Sequence, residues 1–186
     1  MPDALSEERA IAATTAWLEK VVIGLNLCPF AKAVHEKGRI RFAVSGANLA
    51  SGLLEDLKRE LDLLVMTPAE QIESTLLIHP TVLNDFVAYN EFLWECDLAI
   101  QEMELDGVIQ IASFHPQYQF AGTTPDDVTN HTNRSPFPML HLLRESSVSQ
   151  AVENFSNTDS IYENNLETLR KLGKTKIMGI MRQCMD

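Results

Sequence analysis

Three observations predict an α/β fold: a small, mainly parallel sheet of three strands flanked by helices, with additional helices at the amino and carboxyl ends. Apolar segments of strand character alternate with segments of helical periodicity, in the order strand, helix, strand, helix, strand. The two intervening helical segments are long enough for the crossovers that parallel pairing requires. Turn and cap signals bound nearly every segment from residue 6 to about 172, and nothing between them has the composition of a linker. The competing arrangement is α+β, with one strand reversed.

The first helix starts at Ser6, which suits an N-cap, and Glu7 and Glu8 then meet the positive end of the helix dipole. Ile11, Thr15, Leu18 and Val22 give it a buried stripe, and Gly24 stops it. A short second helix runs from Pro29 to Lys37, with proline at the first helical position. Arg39 to Ser45 alternates polar and apolar residues and reads as the first strand. Gly46-Ala47-Asn48 turns the chain into a helix over 49–66, and Thr67-Pro68-Ala69-Glu70 has the form of a capping box for a short one. Thr75 to His79 is a compact apolar run, the mark of a strand buried on both faces.

Asn84 or Asp85 opens the longest helix, to about Leu105, with a stripe of Tyr89, Leu93, Cys96, Ile100 and Met103. Asp106-Gly107 leads out of it into the third strand, Val108 to Phe114. Residues 116–136 read as irregular, with a single helical turn after Thr124-Pro125. Ser135-Pro136 then starts a helix through Glu145, and Ser160 to Glu163 caps a last helix that Gly173 closes. This gives one domain over 1–173 and an expected loose tail over 174–186.

Charge and composition narrow the function. The 186 residues carry 15 Lys and Arg against 26 Asp and Glu, a formal charge of −11. That field repels phosphodiester backbones and anionic headgroups, so neither nucleic acid nor a membrane surface is an expected partner. No apolar run approaches the roughly 20 residues that span a bilayer, and Met1 to Glu8 lacks an apolar secretion core. Three cysteines without paired spacing fit a reducing, cytoplasmic compartment.

Two of the three expected strands end in His-Pro, at His79-Pro80 and His115-Pro116. Parallel strands would bring both imidazoles to the carboxyl edge of the sheet, where α/β proteins bind ligands, as candidate general acids or bases. The long loop that follows is anchored by Phe114, Tyr118, Phe120 and Phe137, so it is expected to be ordered and functional. Between residues 60 and 169 the only cations are Arg134 and Arg144, at either end of the helix expected over 136–145. A helix N-terminus capped by Ser135 beside a guanidinium makes an anion site, and His141 and Arg144 would share one helix face. Asn133, Arg134, Ser135, His141 and Arg144 are therefore the candidate substrate-binding residues. Cys28, just before the second helix, is a candidate nucleophile, since a helix N-terminus favours thiolate.

A metal site drawn from His79, His115, His141, Cys28 and Asp126 or Asp127 is an alternative, but no short-spaced ligand pair supports it. The glycine-rich phosphate loop, the dinucleotide fingerprint and the G-x-S-x-G elbow are all missing from the sequence. No residue pattern names a cofactor or an oligomeric state.

Four stretches carry a family resemblance. They are Gly24-Leu25-Asn26-Leu27-Cys28-Pro29-Phe30, Ile109 to Pro116, Phe120-Ala121-Gly122-Thr123, and Thr132-Asn133-Arg134-Ser135-Pro136-Phe137-Pro138 running on to Glu145. In these the chain resembles the domain of unknown function 1415 family, from about residue 6 to 173. The resemblance implies a stand-alone cytoplasmic-type domain and brings no activity, cofactor or catalytic residue with it. The residues themselves point first to an enzyme acting on a small phosphate- or carboxylate-bearing metabolite. A metal-binding protein and a non-catalytic module that docks a protein through its long loop are the alternatives.

Overall fold

The computed structural model describes residues 6–153 and 159–186; Met1 to Leu5, read above for a secretion core, lie outside them. The elements follow in order. Helix α1 (Glu7–Trp17) continues into a π-helical stretch (Leu18–Ile23), followed by α2 (Ala31–Glu36), β1 (Ile40–Val44), α3 (Ala50–Met66), β2 (Ser74–Ile78) and α4 (Phe86–Glu102). Strand β3 (Ile109–Phe114), a 3-10 turn (Val128–Thr132), β4 (Met139–Arg144), α5 (Glu145–Glu153), α6 (Asp159–Leu172) and α7 (Lys174–Gln183) complete the chain.

The sheet has four strands in the order β1-β2-β4-β3. Strands β1 and β2 pair in parallel, with Phe42 opposite Leu76. Strand β4 is antiparallel to both its neighbours, placing His141 between Leu76 of β2 and Ala112 of β3. Strands β1, β2 and β3 therefore point the same way, and β4 runs against them from an interior position.

Each face of the sheet carries its own apolar core. On one face Leu53, Leu57, Leu61 and Leu64 of α3, spaced four, four and three, pack with Tyr89, Phe92 and Cys96 of α4 against Ala43, Leu77, Leu140 and Leu142. Fully burying each of these leucines contributes about 2 kcal/mol. Burial also pushes the Cys96 thiol up to about 12, with Asp97 and Glu95 adding to the effect, so it acts as a small apolar side chain. On the other face Ala10, Trp17 and Val21 from the first helix, Leu169 of α6 and Ile177 of α7 cover Leu76, Ile78 and Met139. The alternation of side chains along each strand assigns the two sets to the two faces.

The α/β class holds, with four strands instead of three and a mixed sheet instead of a mainly parallel one. The helix expected over 136–145 is strand β4. Met139 to Leu143 is apolar almost throughout because the strand is covered on both faces, and pairing along both its edges outweighs the helical propensity of leucine and methionine. The expected loose tail forms α7, with Ile177 and Cys184 buried. The helix foreseen after Thr67 is only a turn, closed by Gln71 N–H to the Pro68 carbonyl at 3.0 Å.

Candidate functional site

A cavity of about 300 Å³ lies between the sheet and the helices on the α1 side. Its floor is formed by alternate residues of the four strands, among them Ile40, Leu76, Ala112, Phe114, His141 and Leu143. Its roof is Trp17, Leu18 and Val22, with Cys28, Phe30 and Ala31 at one side and Val148 and Ala151 of α5 at another. Most of the exposed wall is apolar, with Glu73, Ser74, Gln110, Arg144 and Ser147 also among the lining residues. Floor positions fall at the start of β1 and β2 and the end of β4, so the cavity occupies a sheet face toward the amino ends of the parallel strands.

The π-helical stretch shapes the roof. Gly24 N–H bonds the Glu19 carbonyl five residues back at 2.9 Å, and the extra residue per turn turns Leu18 and Val22 to the cavity. Glycine is required at its end, because a Cβ on Gly24 would sit 2.4 Å from the Lys20 carbonyl oxygen. Asn26 then takes a left-handed φ of 54° and directs the chain to Cys28. Trp17 is anchored by its indole N–H, which donates to the Arg134 carbonyl at 3.0 Å, and by an edge-on contact with Phe114 at 5.3 Å.

His141 is the principal polar group of the floor. Its Nε2 lies 3.1 Å from Ser74 Oγ, and burial lowers its pKa to about 4, so it is neutral at physiological pH. Cys28 is half-buried on the wall. It does not cap a helix: α2 begins at Ala31 with Phe30 as its N-cap residue, and only the Cys28 carbonyl meets the helix, accepting from Ala31 N–H at 3.3 Å. Cys28 therefore lies outside the helix N-terminus expected to activate it.

His79 and His115 lie elsewhere. Both end strands that point the same way, so they share the carboxyl edge of the sheet, on the face covered by α4. The Tyr89 ring lies near both, with centroids 5.7 Å from His79 and 5.0 Å from His115. Its hydroxyl donates to the Met139 carbonyl at 2.9 Å and accepts from Phe114 N–H at 3.1 Å, bracing β3 and β4. The two imidazoles bond successive carbonyls of the β2–α4 loop, His79 Nδ1 to Val82 at 3.0 Å and His115 Nε2 to Leu83 at 3.2 Å. Leu83 is held at a φ of 57° between them. His115 Nδ1 also accepts Gln117 N–H at 3.0 Å. Burial takes the His79 pKa down to about 4 and lowers that of His115; both side chains are fully shielded, and His79 Nε2 has no hydrogen-bond partner among the described residues.

The expected anion site has no helix to support it. Arg134 donates to the Tyr118 carbonyl at 3.1 Å and the Pro125 carbonyl at 2.8 Å, stapling the long loop. Asn133 donates to the Ser113 carbonyl, and Ser135 to the Phe137 carbonyl. Arg144 donates from Nε to Ile72 and from Nη2 to the carbonyls of Leu64, Thr67 and Ile72, closing the carboxyl end of α3. Three positions apart on a strand, His141 and Arg144 project to opposite faces, not to one. Within the loop, Phe137 is buried, and Tyr118 and Phe120 pack against each other at 5.0 Å, with Tyr118 also on Phe86 at 5.2 Å. The loop thus turns its aromatic residues inward.

The structure therefore divides the candidate residues into a cavity group (Cys28, His141 and Arg144, the last also stapling the end of α3), a shielded pair at the carboxyl edge (His79, His115) and loop staples (Asn133, Arg134, Ser135). Among the described residues no three His, Cys, Asp or Glu side chains cluster as a metal site would require, and Asp126 is paired with Lys174 on the surface. No described helix is long and apolar enough to cross a membrane. Ser74, Trp17 and the π-helical stretch escaped the sequence reading. The one available signal was a histidine set inside the apolar run Met139 to Leu143.

No curated protein and no solved structure matches the chain. Residues 9–178 match the family described as "Protein of unknown function (DUF1415)". That match spans the cavity, both histidines of the carboxyl edge and the whole sheet, and the chain belongs to this family.

Proposed function

We propose that this protein binds a small, predominantly apolar molecule carrying one hydrogen-bonding group, in the cavity between the sheet and the amino-terminal helices. The observation that carries this reading is the His141–Ser74 pair, set among apolar side chains in a space of about 300 Å³. Ligand pockets are commonly of this kind, mostly apolar with a few placed polar groups, and this volume is at their small end. A neutral imidazole recognises a hydroxyl, carbonyl or amide and forms no ion pair with an anion. Arg134 is not among the residues lining the cavity, and Arg144, which is, has its Nε and Nη2 bonded to backbone carbonyls, which favours a neutral ligand over the phosphate or carboxylate compound that the sequence suggests. Cys28 faces the same cavity, so a nucleophilic role for its thiol belongs to this site. The three free thiols fit a reducing, cytoplasmic compartment.

Thermal shift and Trp17 fluorescence test the reading, in a Trp94→Phe background that leaves Trp17 as the only tryptophan. Indole and p-cresol are expected to raise Tm and alter the emission, and Ala112→Phe, which fills the floor, should abolish both effects. Benzoate and inorganic phosphate should do neither. Stabilisation by the anions alone, or equal binding to the filled variant, would overturn the proposal.

A further inference from the structure

The outer face of α4 carries an apolar stripe that none of the described residues covers. Val87, Trp94 and Leu98, at positions i, i+7 and i+11, fall in one line along the helix. They are 64%, 67% and 40% exposed. Tryptophan is a residue that folding usually buries deeply, and this one stands at the middle of the 17-residue helix α4, well away from its ends. Contiguous exposed apolar surface with polar edges marks an interaction site more often than isolated apolar residues do.

The charges beside the stripe choose the occupant. Glu91 falls in the line between Val87 and Trp94, Glu95 and Glu102 are exposed along one side and Asp97 along the other, and α4 contains no Lys or Arg. Lys58 of α3 reaches only Glu102, at 2.9 Å. Anionic lipid and nucleic acid are repelled by such a surface, and a second copy would bring like carboxylates together. We infer that this face docks a basic, amphipathic helical segment of another protein, whose apolar side seats on Val87, Trp94 and Leu98 and whose Lys or Arg residues meet the flanking carboxylates and the Trp94 ring. The site is on the opposite face of the sheet from the cavity and stands independently of the ligand proposed there.

The test uses a fluorescein-labelled, 18-residue Leu/Lys amphipathic peptide, with its Leu/Glu counterpart as control, read by anisotropy. Three variants are compared: Trp94→Ala, Glu91→Lys/Glu95→Lys, and Glu7→Lys/Glu8→Lys on α1, which changes the net charge by the same amount on the other side of the molecule. The expected result is binding of the Leu/Lys peptide alone, weakened roughly tenfold or more by the first two variants, as for a tryptophan hot spot, and by less than about twofold by the third. Equal weakening by the α1 variant would reduce the effect to the general negative field and overturn the proposal, as would no binding at about 100 µM peptide. Sedimentation of the wild type closes the remaining route: dimerisation lost in Trp94→Ala would identify a second copy as the occupant and also refute it.

Discussion

His79 has one ring nitrogen bonded to the Val82 carbonyl and the other buried without a partner among the described residues. A shielded donor or acceptor left unpaired costs about 1–3 kcal/mol, and a proton on it would add the cost of burying a charge. Burial opposes a proton on His141 as well, and both have folded pKa values near 4 against 6.5 for the free side chain. In the unfolded chain these imidazoles take up protons below about 6.5, whereas the folded protein resists until about 4. Their contribution is therefore complete above pH 6.5 and declines as the pH falls toward 4. His115 and His131, also lowered chiefly by burial, act in the same direction. Urea unfolding is expected to show lower stability at pH 5 than at pH 7, with a smaller difference in a His79→Phe/His141→Phe variant; an unchanged difference would contradict the assignment. His79 and His115 were legible from the sequence as strand-end residues on a common edge, because proline after each marks where the strand stops. Their shielding was not legible, since it depends on Tyr89, which the periodicity presents only as one more core residue of α4.

Among the elements, the π-helical stretch and the carboxyl end of α3 each depend on one residue. Gly24→Ala would force a Cβ against a backbone oxygen that a helix cannot move cheaply. The expected outcome is a loss of about 2 kcal/mol or more in chemical denaturation, together with loss of indole binding as Leu18 and Val22 shift. Arg144→Met would leave the carbonyls of Leu64, Thr67 and Ile72 without their guanidinium donor. Charge-assisted bonds of this type contribute about 1.5–3 kcal/mol, so denaturant stability should fall by a similar amount while indole binding to the cavity persists. A variant that lost indole binding at unchanged stability would instead show Arg144 to be a ligand contact. Most helices and three strands could be read from periodicity and caps. Strand β4 could not, because a strand buried on both faces loses the alternation that identifies one, and Leu-rich runs of that length suit either structure.

For the whole molecule, the two apolar cores on opposite faces of the sheet make the carboxyl-terminal helices part of the fold. Removing residues 174–186 would strip Ile177 and Cys184 from the core on the α1 side. Losing a buried isoleucine and its neighbours costs about 2–5 kcal/mol, or roughly 4–20 °C in Tm at about 2–4 °C per kcal/mol for a chain of this length. Calorimetry of the truncated protein checks this, and a Tm within about 2 °C of wild type would show α7 to be dispensable. The fold class was legible because the crossover pattern is local in sequence. The division of the candidate residues between two faces and two ends of the sheet was not, since it follows from where β4 inserts.

That insertion also governs the order of assembly during synthesis. Until Met139 to Arg144 leave the ribosome, β2 and β3 have a vacant lane between them, and their facing edges have no backbone partner. Two of the three ladders must wait for a single late segment, so the first 138 residues would hold at most a two-stranded sheet, with open edges that invite aggregation. A nascent chain stalled there should be sensitive to protease, and the full 186-residue chain markedly less so.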